Sequence, residues 1–344
     1  MIQKFDISNS PKLSAAEMLA LLWVDGVGPR SLLNLINSDL NFVQIIGLSR
    51  NDLKRYIKGS RSESAISDIQ TGRINLLSTA KSRINEYHES GIHVISYWDD
   101  QYPELLRHIV DPPLWLFAKG NVALMNRNSC VAIIGTRRST SAGEKIAFQI
   151  ASEICSSGFT VVSGLAGGID SAAHRGALSV KGPTVAVLVD VENIFPSENT
   201  PLSKMILETD GLLISENRPG TKVASGLLVR RDRLQSAMSQ IVIPVESAMK
   251  GGTMHTVRYA HEQQRKVVAL EMTEYLDYPV ENEAYSGIRS LVAANKAQKV
   301  EHESLISFIA ESVAEYSRMN NPTHSALNTD YSELGQQKLD LDYK

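Results

Sequence analysis

The sequence predicts an α/β protein, a doubly wound and mostly parallel sheet preceded by a small helical domain. Three observations predict it. From Val131 onward, short apolar runs alternate with segments long enough for crossover helices. Two of those runs end in small-residue turns, at Gly135 and at Ser163-Gly164, each followed by a helical pattern. Residues 12–58 instead carry helical periodicity, interrupted by Val24-Asp25-Gly26-Val27-Gly28-Pro29.

Taken in order, helices are expected from Ala15 to Val24, from Arg30 to Ile36 and from Asp52 to Ile57. The apolar-x-Gly-apolar-Gly interruption fits the hairpin of a helix-hairpin-helix module. Its glycines, Gly26 and Gly28, would let backbone approach a phosphate, and Pro29 can open the second helix. A tight turn between helices accounts for the same residues, and the sequence leaves both readings open. A connecting helix follows, with Ile74, Leu77, Ala80, Ile84 and Tyr87 at helical spacing. Ile92 to Tyr97 and Leu114 to Ala118 read as strands leading into the main domain. Further strands are expected at 131–134, 160–163, 184–189, 212–215, 240–245 and 267–270. They lack polar alternation, as in a parallel sheet covered on both faces. Crossover helices fall at 143–157 and 169–179. Leu305, Ile306, Ile309 and Val313 mark a late helix, and the polar stretch from Asn320 to Lys344 is expected to be a mobile tail. The expected division is 1–60, 61–110, 111–300 and 301–344.

With 344 residues, 43% hydrophobic and 21% charged, the chain is globular and can hold two or three domains. No apolar run is long enough to span a membrane, and the N-terminus lacks a signal-peptide pattern, so a cytoplasmic protein is expected. Cys130 and Cys155, the two cysteines, sit in apolar contexts and read as buried thiols, with no metal site. A net charge of -3 does not announce a nucleic-acid binder. Phosphate binding would need a local patch, and Arg218, Lys222, Arg230, Arg231 and Arg233, against the single acid Asp232, supply a candidate. The same run also suits a solvated face.

The segment Val161-Val162-Ser163-Gly164-Leu165-Ala166-Gly167-Gly168-Ile169-Asp170-Ser171-Ala172-Ala173-His174 and the earlier Ile133-Ile134-Gly135-Thr136-Arg137-Arg138 resemble the DNA-processing protein A (DprA/Smf) family. That family carries a Gly-Ser-Arg strand end followed by Ser-Gly-Leu-Ala-x-Gly-Ile-Asp-x-x-Ala-His. Tyr102-Pro103-Glu104-Leu105-Leu106, Asp111-Pro112-Pro113-Leu114, Phe195-Pro196-Ser197-Glu198-Asn199 and Gly211-Leu212-Leu213-Ile214-Ser215-Glu216 agree in order. The resemblance covers roughly Leu13 to Val300. It implies a Rossmann-like fold with a helix-hairpin-helix or SAM-like N-terminal domain. It also implies a non-enzymatic binder of single-stranded DNA that protects strands and loads a RecA-type recombinase, commonly as a homodimer, without a cofactor.

On this reading Gly135, Thr136 and Arg137 form one half of a phosphate site at a strand end, with Ser163, Gly164, Gly167 and Gly168 beside them. Arg137 could instead pair with a carboxylate. Arg231 and Arg233 fall on the family's two arginines, and Gly251-Gly252-Thr253 stands where the family has another small-residue loop. Asp170 and His174, four apart at a helix start, are read as a helix-start carboxylate and a structural histidine. Glu246 is the tempting acid for a hydrolase, expected instead to pair with an arginine.

Departures from the family cluster at Val189-Asp190-Val191-Glu192-Asn193, at Leu228-Val229 and Asp232, and at Glu271. If Asp190, Glu192, Asp232 and Glu271 face the groove, they weaken backbone binding. Two other functions are therefore weighed. One is a DprA-like component of a phage-defence or toxin–antitoxin module with a toxin partner. The other is a nucleotide sensor or phosphoribohydrolase-like enzyme, since Gly251-Gly252-Thr253 echoes the phosphate loop of such enzymes.

Overall fold

A computed structural model describes residues 12–72, 75–127, 129–271 and 283–319. The polar C-terminal stretch expected to be a mobile tail lies outside the described residues. Six helices come first: α1 (Ala15–Leu22), α2 (Pro29–Ile36), α3 (Phe42–Gly47), α4 (Arg50–Tyr56), α5 (Ser62–Gly72) and α6 (Leu76–Glu89). Local chemistry starts several of them. Ser14 and Glu17 form a capping box on α1, and Asn41 and Gln44 form another on α3. Each such cap is worth about 1 kcal/mol. Pro29 occupies the first turn of α2, and Gly26 takes φ +97°, a left-handed turn that side chains disfavour. Helices α3 and α5 go beyond the three helices expected here.

Strands β1 (Ile92–Ser96) and β2 (Trp115–Gly120) flank the short helix α7 (Glu104–Arg107). Then β3 (Cys130–Ile134), α8 (Ser141–Ser156), β4 (Thr160–Ser163), α9 (Ile169–Ser179) and β5 (Thr184–Val187) alternate. They are followed by α10 (Thr200–Glu208), β6 (Leu212–Ser215), α11 (Ser225–Ala237), β7 (Ile241–Pro244), α12 (Thr253–Glu262) and β8 (Lys266–Leu270). After them come α13 (Ser286–Ala293), β9 (Gln298–Val300) and α14 (Leu305–Met319).

These strands form one nine-stranded sheet in the order β1-β2-β6-β5-β4-β3-β7-β8-β9. From β6 to β9 every pairing is parallel, whereas β1–β2 and β2–β6 are antiparallel. The doubly wound expectation therefore holds, with an antiparallel edge added by Ile92–Ser96 and Trp115–Gly120. The chain winds outward from β3 through β4 and β5 to β6, then returns to lay β7 on the other side of β3. Right-handed crossovers place α8 and α12 on opposite faces, which opens a crevice between the ends of β3 and β7.

The sheet interior is apolar and closed to solvent. Val131, Ala132, Val161, Val162, Val185, Ile241 and Val242 are wholly buried. The N-terminal helices share a second core with one face of the sheet's antiparallel end. There Leu19, Leu32, Leu35 and Leu53 join Trp115, Phe117 and Leu213. Burying each large side chain stabilises the fold by about 1.5–3 kcal/mol.

Candidate nucleic-acid interface

Gly135 and Gly164 follow β3 and β4, neighbouring parallel strands, so both lie on the C-terminal edge of the sheet as expected. A cavity of about 410 Å³ opens there at the crevice between β3 and β7. Gly135, Thr136, Arg137 and Arg138 form one wall, Gly252, Thr253, His255 and Thr256 another. The third wall is a face of α11: Ser225, Leu228, Val229, Asp232 and Gln235, with Arg231 and Asp170 at the floor. The size suits a nucleotide-sized group, and the walls mix apolar surface with a few converging polar groups.

The β4–α9 loop is held rigid from inside. Asp170, buried, accepts hydrogen bonds from the Gly164 and Ala166 amides at 3.2 and 3.4 Å. Ser171 donates to the Ala166 carbonyl, and Asn199 donates to the Leu165 carbonyl. Leu165 is wholly buried at φ +57°, a conformation that persists only where its surroundings enforce it. Ser163 is buried, and its hydroxyl donates to the Ile133 carbonyl at 2.7 Å. Two expectations are corrected here. The Ser163 hydroxyl and the Gly164 amide are engaged inside the protein, because the strand end needs them for its own turn. Gly164 serves packing instead: a Cβ there would overlap Nη1 of Arg231. Gly167 and Gly168 sit beside the cavity without lining it. Gly168, at φ +73°, lets the loop pass close to the Thr136 carbonyl. Gly251 closes a tight turn by donating to the Ala248 carbonyl.

Arg231 reaches the cavity floor and is only 4% exposed. Its Nε stands 3.6 Å from Asp232, and neither Nε nor Nη1 has a hydrogen-bond partner among the described residues. Arg233 does not join it. Two residues apart on α11, the side chains leave the helix about 200° apart. Arg233 turns inward to Asp111 at 2.9 Å and Glu216 at 2.8 Å, and is 3% exposed. The groove assigned to both arginines thus receives Arg231 alone. Arg137 and Arg138 are exposed at the rim and form no direct ion pair among the described residues, although the Arg137 charge acts on Asp232 across the cavity.

The feared acids are mostly elsewhere. Asp190 is buried and accepts from the Glu192 and Gly220 amides and from Asn193. Glu271 pairs with Lys299. Asp232 alone among these four lines the cavity, and burial pushes its carboxyl up to about 6 although Arg231 opposes the shift. Burial likewise raises Asp170, against the pull of Arg231. His174 is fully buried, and desolvation with the Arg231 charge lowers it to about 3, so the ring is neutral. Thr184 commits its hydroxyl proton to the Val161 carbonyl, so Nδ1 of His174 carries the proton shared with Thr184 at 2.8 Å. His174 is structural, as read from the sequence.

Glu246, wholly buried, accepts from the Thr140 amide at 2.9 Å and the Thr140 hydroxyl at 2.6 Å. Thr140 in turn caps α8. Helices α9 and α12 begin at Gly168 and Gly252 without side-chain caps, leaving their N-terminal dipoles directed toward the strand-end edge. Arg138, Gln235, His255 and Thr256 were not anticipated. The spacing 225, 228, 229, 232 and 235 is a helical face, and it was the available signal.

Cys130 and Cys155 are free buried thiols, both pushed up to about 12 by desolvation. Among the described residues no cluster of His, Cys, Asp or Glu is placed to hold a metal, and no helix is long and apolar enough to cross a membrane.

A model of the family "DNA recombination-mediator protein A" matches residues 93–310, well over half of the chain. The chain belongs to this family. It is 37% identical over 185 residues to the DNA processing protein DprA of Bacillus subtilis, covering 54% of this chain and 62% of that relative. It is 36% identical over 193 residues to Protein Smf of Synechocystis, covering 54% of this chain and 48% of that protein. The match therefore spans less than two thirds of these relatives' lengths. The structure of DprA from Streptococcus pneumoniae superposes with a TM-score of 0.64 at 25% identity, covering 83% of this chain and 95% of that one. DNA processing protein A from Helicobacter pylori, described for its single-stranded DNA binding mode, gives 0.53 at 26% identity, covering 66% and 96%. The Rossmann-like fold implied by the motifs is thereby established.

Proposed function

We propose that the cavity between β3 and β7 binds the phosphate backbone of single-stranded DNA, and that the chain is a non-enzymatic recombination mediator. One observation carries this reading: the buried Arg231 guanidinium, at the floor of a cavity rimmed by Arg137 and Arg138, has two nitrogens without a hydrogen-bond partner among the described residues. A buried guanidinium with unused donors suits an anionic, oxygen-rich ligand. The uncapped starts of α9 and α12 add to the same field. The single-stranded DNA binding of the Helicobacter pylori relative supports the assignment. A RecA-type recombinase is the expected protein partner, and a homodimer the expected assembly.

The carboxylates a hydrolase would need serve other ends. Asp170 holds the β4–α9 loop, and Glu246 holds the cap of α8. Titrating purified protein with fluorescent single strands at two salt concentrations tests the reading. Submicromolar binding that weakens steeply with salt is expected, since each neutralised phosphate contributes a slope of about -0.7 on single strands. Binding that is absent, or indifferent to salt, overturns it.

A further inference from the structure

A second cavity, of about 640 Å³, lies on the far side of α11, between the α1–α2 hairpin and the sheet's antiparallel end. Gly26 and Gly28 form its lip. Gly26 is needed by the fold, because a Cβ there would press within 2.6 Å of the Arg61 carbonyl. Gly28 is not: its φ is -88°, and a Cβ would meet nothing within 4 Å. As the first residue before α2 it caps no amide with a side chain, and since Pro29 has no N–H, the Arg30 and Ser31 amides are the ones left without a side-chain cap.

The cavity's charges are unevenly matched. Asp25 is taken by Arg61 at 2.6 Å, and Glu216 by Arg233 and Arg230 at 2.8 and 3.3 Å. Arg30, Lys58 and Arg218 remain, exposed and without a carboxylate partner among the described residues. Deeper in the wall, Trp115 is 3% exposed, and its indole Nε1 donor has no hydrogen-bond partner among the described residues. Open backbone amides, three cations without carboxylates and a buried unused donor all ask for an acceptor-rich anion.

Its position relative to the first cavity says which anion. Leu228 and Val229 of α11 line the first cavity, and Arg230 lines the second. One helix, about 10 Å thick, separates them. A discrete anion would fill one site, whereas a phosphodiester chain crossing the start of α11 reaches both.

We propose that the hairpin cavity is a second subsite for the same single strand, with Arg30, Lys58, Arg218 and the α2 amides holding phosphates beyond those at Arg137 and Arg231. The proposal rests on the first cavity being the single-strand site.

The test uses the full chain with oligo-dT of six and of twenty nucleotides and fluorescence anisotropy over a salt series. The Arg30→Ala/Arg218→Ala double variant should bind the short strand as the parent does. On the long strand its salt slope should shrink by about 1.4, the loss of two phosphate contacts. Gly28→Asp gives an independent check. A carboxylate there caps α2, so the melting temperature should hold or rise. The same carboxylate repels phosphate, so long-strand affinity should fall. Equal losses on both lengths, an unchanged long-strand slope, or a loss confined to duplex DNA overturns the second subsite. If Arg137→Ala weakens both lengths while the hairpin variants change neither, only this inference fails. If the parent binds neither strand, the first site fails and the subsite with it.

Discussion

The Arg231 guanidinium occupies the space that a side chain on Gly164 would fill. The glycine after β4 is thus a steric condition for placing the arginine, more than a donor of its own amide. Gly164→Ala should displace Arg231 and cost about 1–3 kcal/mol, as overpacking does. Chemical denaturation together with single-strand titration checks this: stability and affinity should fall together, and a variant that loses stability alone would separate the two residues.

Arg137 stands exposed at the rim with no direct ion pair among the described residues, so its removal should leave folding intact. Arg137→Ala should weaken binding about equally for all strand sequences and flatten the salt slope by about 0.7, the loss of one phosphate contact. A sequence-dependent loss would reassign the residue to base readout.

Burial pushes the Asp232 carboxyl up to about 6 in the folded protein, from an ordinary value of 3.8. An acid raised by folding binds more protons in the native state, so its contribution to stability is present below about pH 4 and lost as pH rises through about 6. Asp232→Asn should therefore stabilise the protein at neutral pH by about 1–3 kcal/mol and leave it unchanged in acid. The parent should bind single strands more tightly as pH falls through 6, because the cavity sheds a negative charge. The comparison with Asp232→Asn isolates this carboxylate from His255, which lines the same walls. Identical pH profiles for both proteins would remove Asp232 from the site.

Arg233 and Glu216 form a buried pair, with side chains 3% and 5% exposed. Removing one partner leaves an uncompensated buried charge, so Arg233→Ala should cost about 3–5 kcal/mol. The folded fraction should keep the parent's salt slope on the short strand. A lowered slope there would return Arg233 to the groove.

Glu246→Gln should loosen the Thr140 cap of α8 and lower thermal stability without altering turnover of nucleoside monophosphates, which should be nil in both proteins. Release of free base by the parent, lost in the variant, would make the cavity an active site.

Much of the fold was legible because parallel strands buried on both faces read as unbroken apolar runs, as in Val131–Ile134 and Ile241–Ile243. Strand β9 was not, because Gln298 and Lys299 are exposed and only Val300 is buried. The antiparallel placement of β1 and β2 is set by tertiary pairing that no local pattern encodes. Arg137 could be placed because a parallel strand's C-terminal end directs the succeeding residues out of the sheet. Arg233 could not be placed from its motif, because a motif is a line and α11 is a cylinder. The engagement of the Gly164 amide by Asp170 is a loop closure between residues six apart, equally invisible to spacing.

Helix α11 presents Arg230, Arg231 and Arg233 to three different surroundings, and each successive residue turns by about 100°. Register therefore governs this segment more tightly than identity. A single residue inserted between Ser225 and Arg230 would advance every side chain by one place, setting Asp232 against Asp111 and Glu216 and driving Arg233 into the buried place of Leu234. Exchanging one side chain would damage one function only. Length variation should accordingly be tolerated before Ser225, in the loop after β6, and nowhere along the first three turns of the helix.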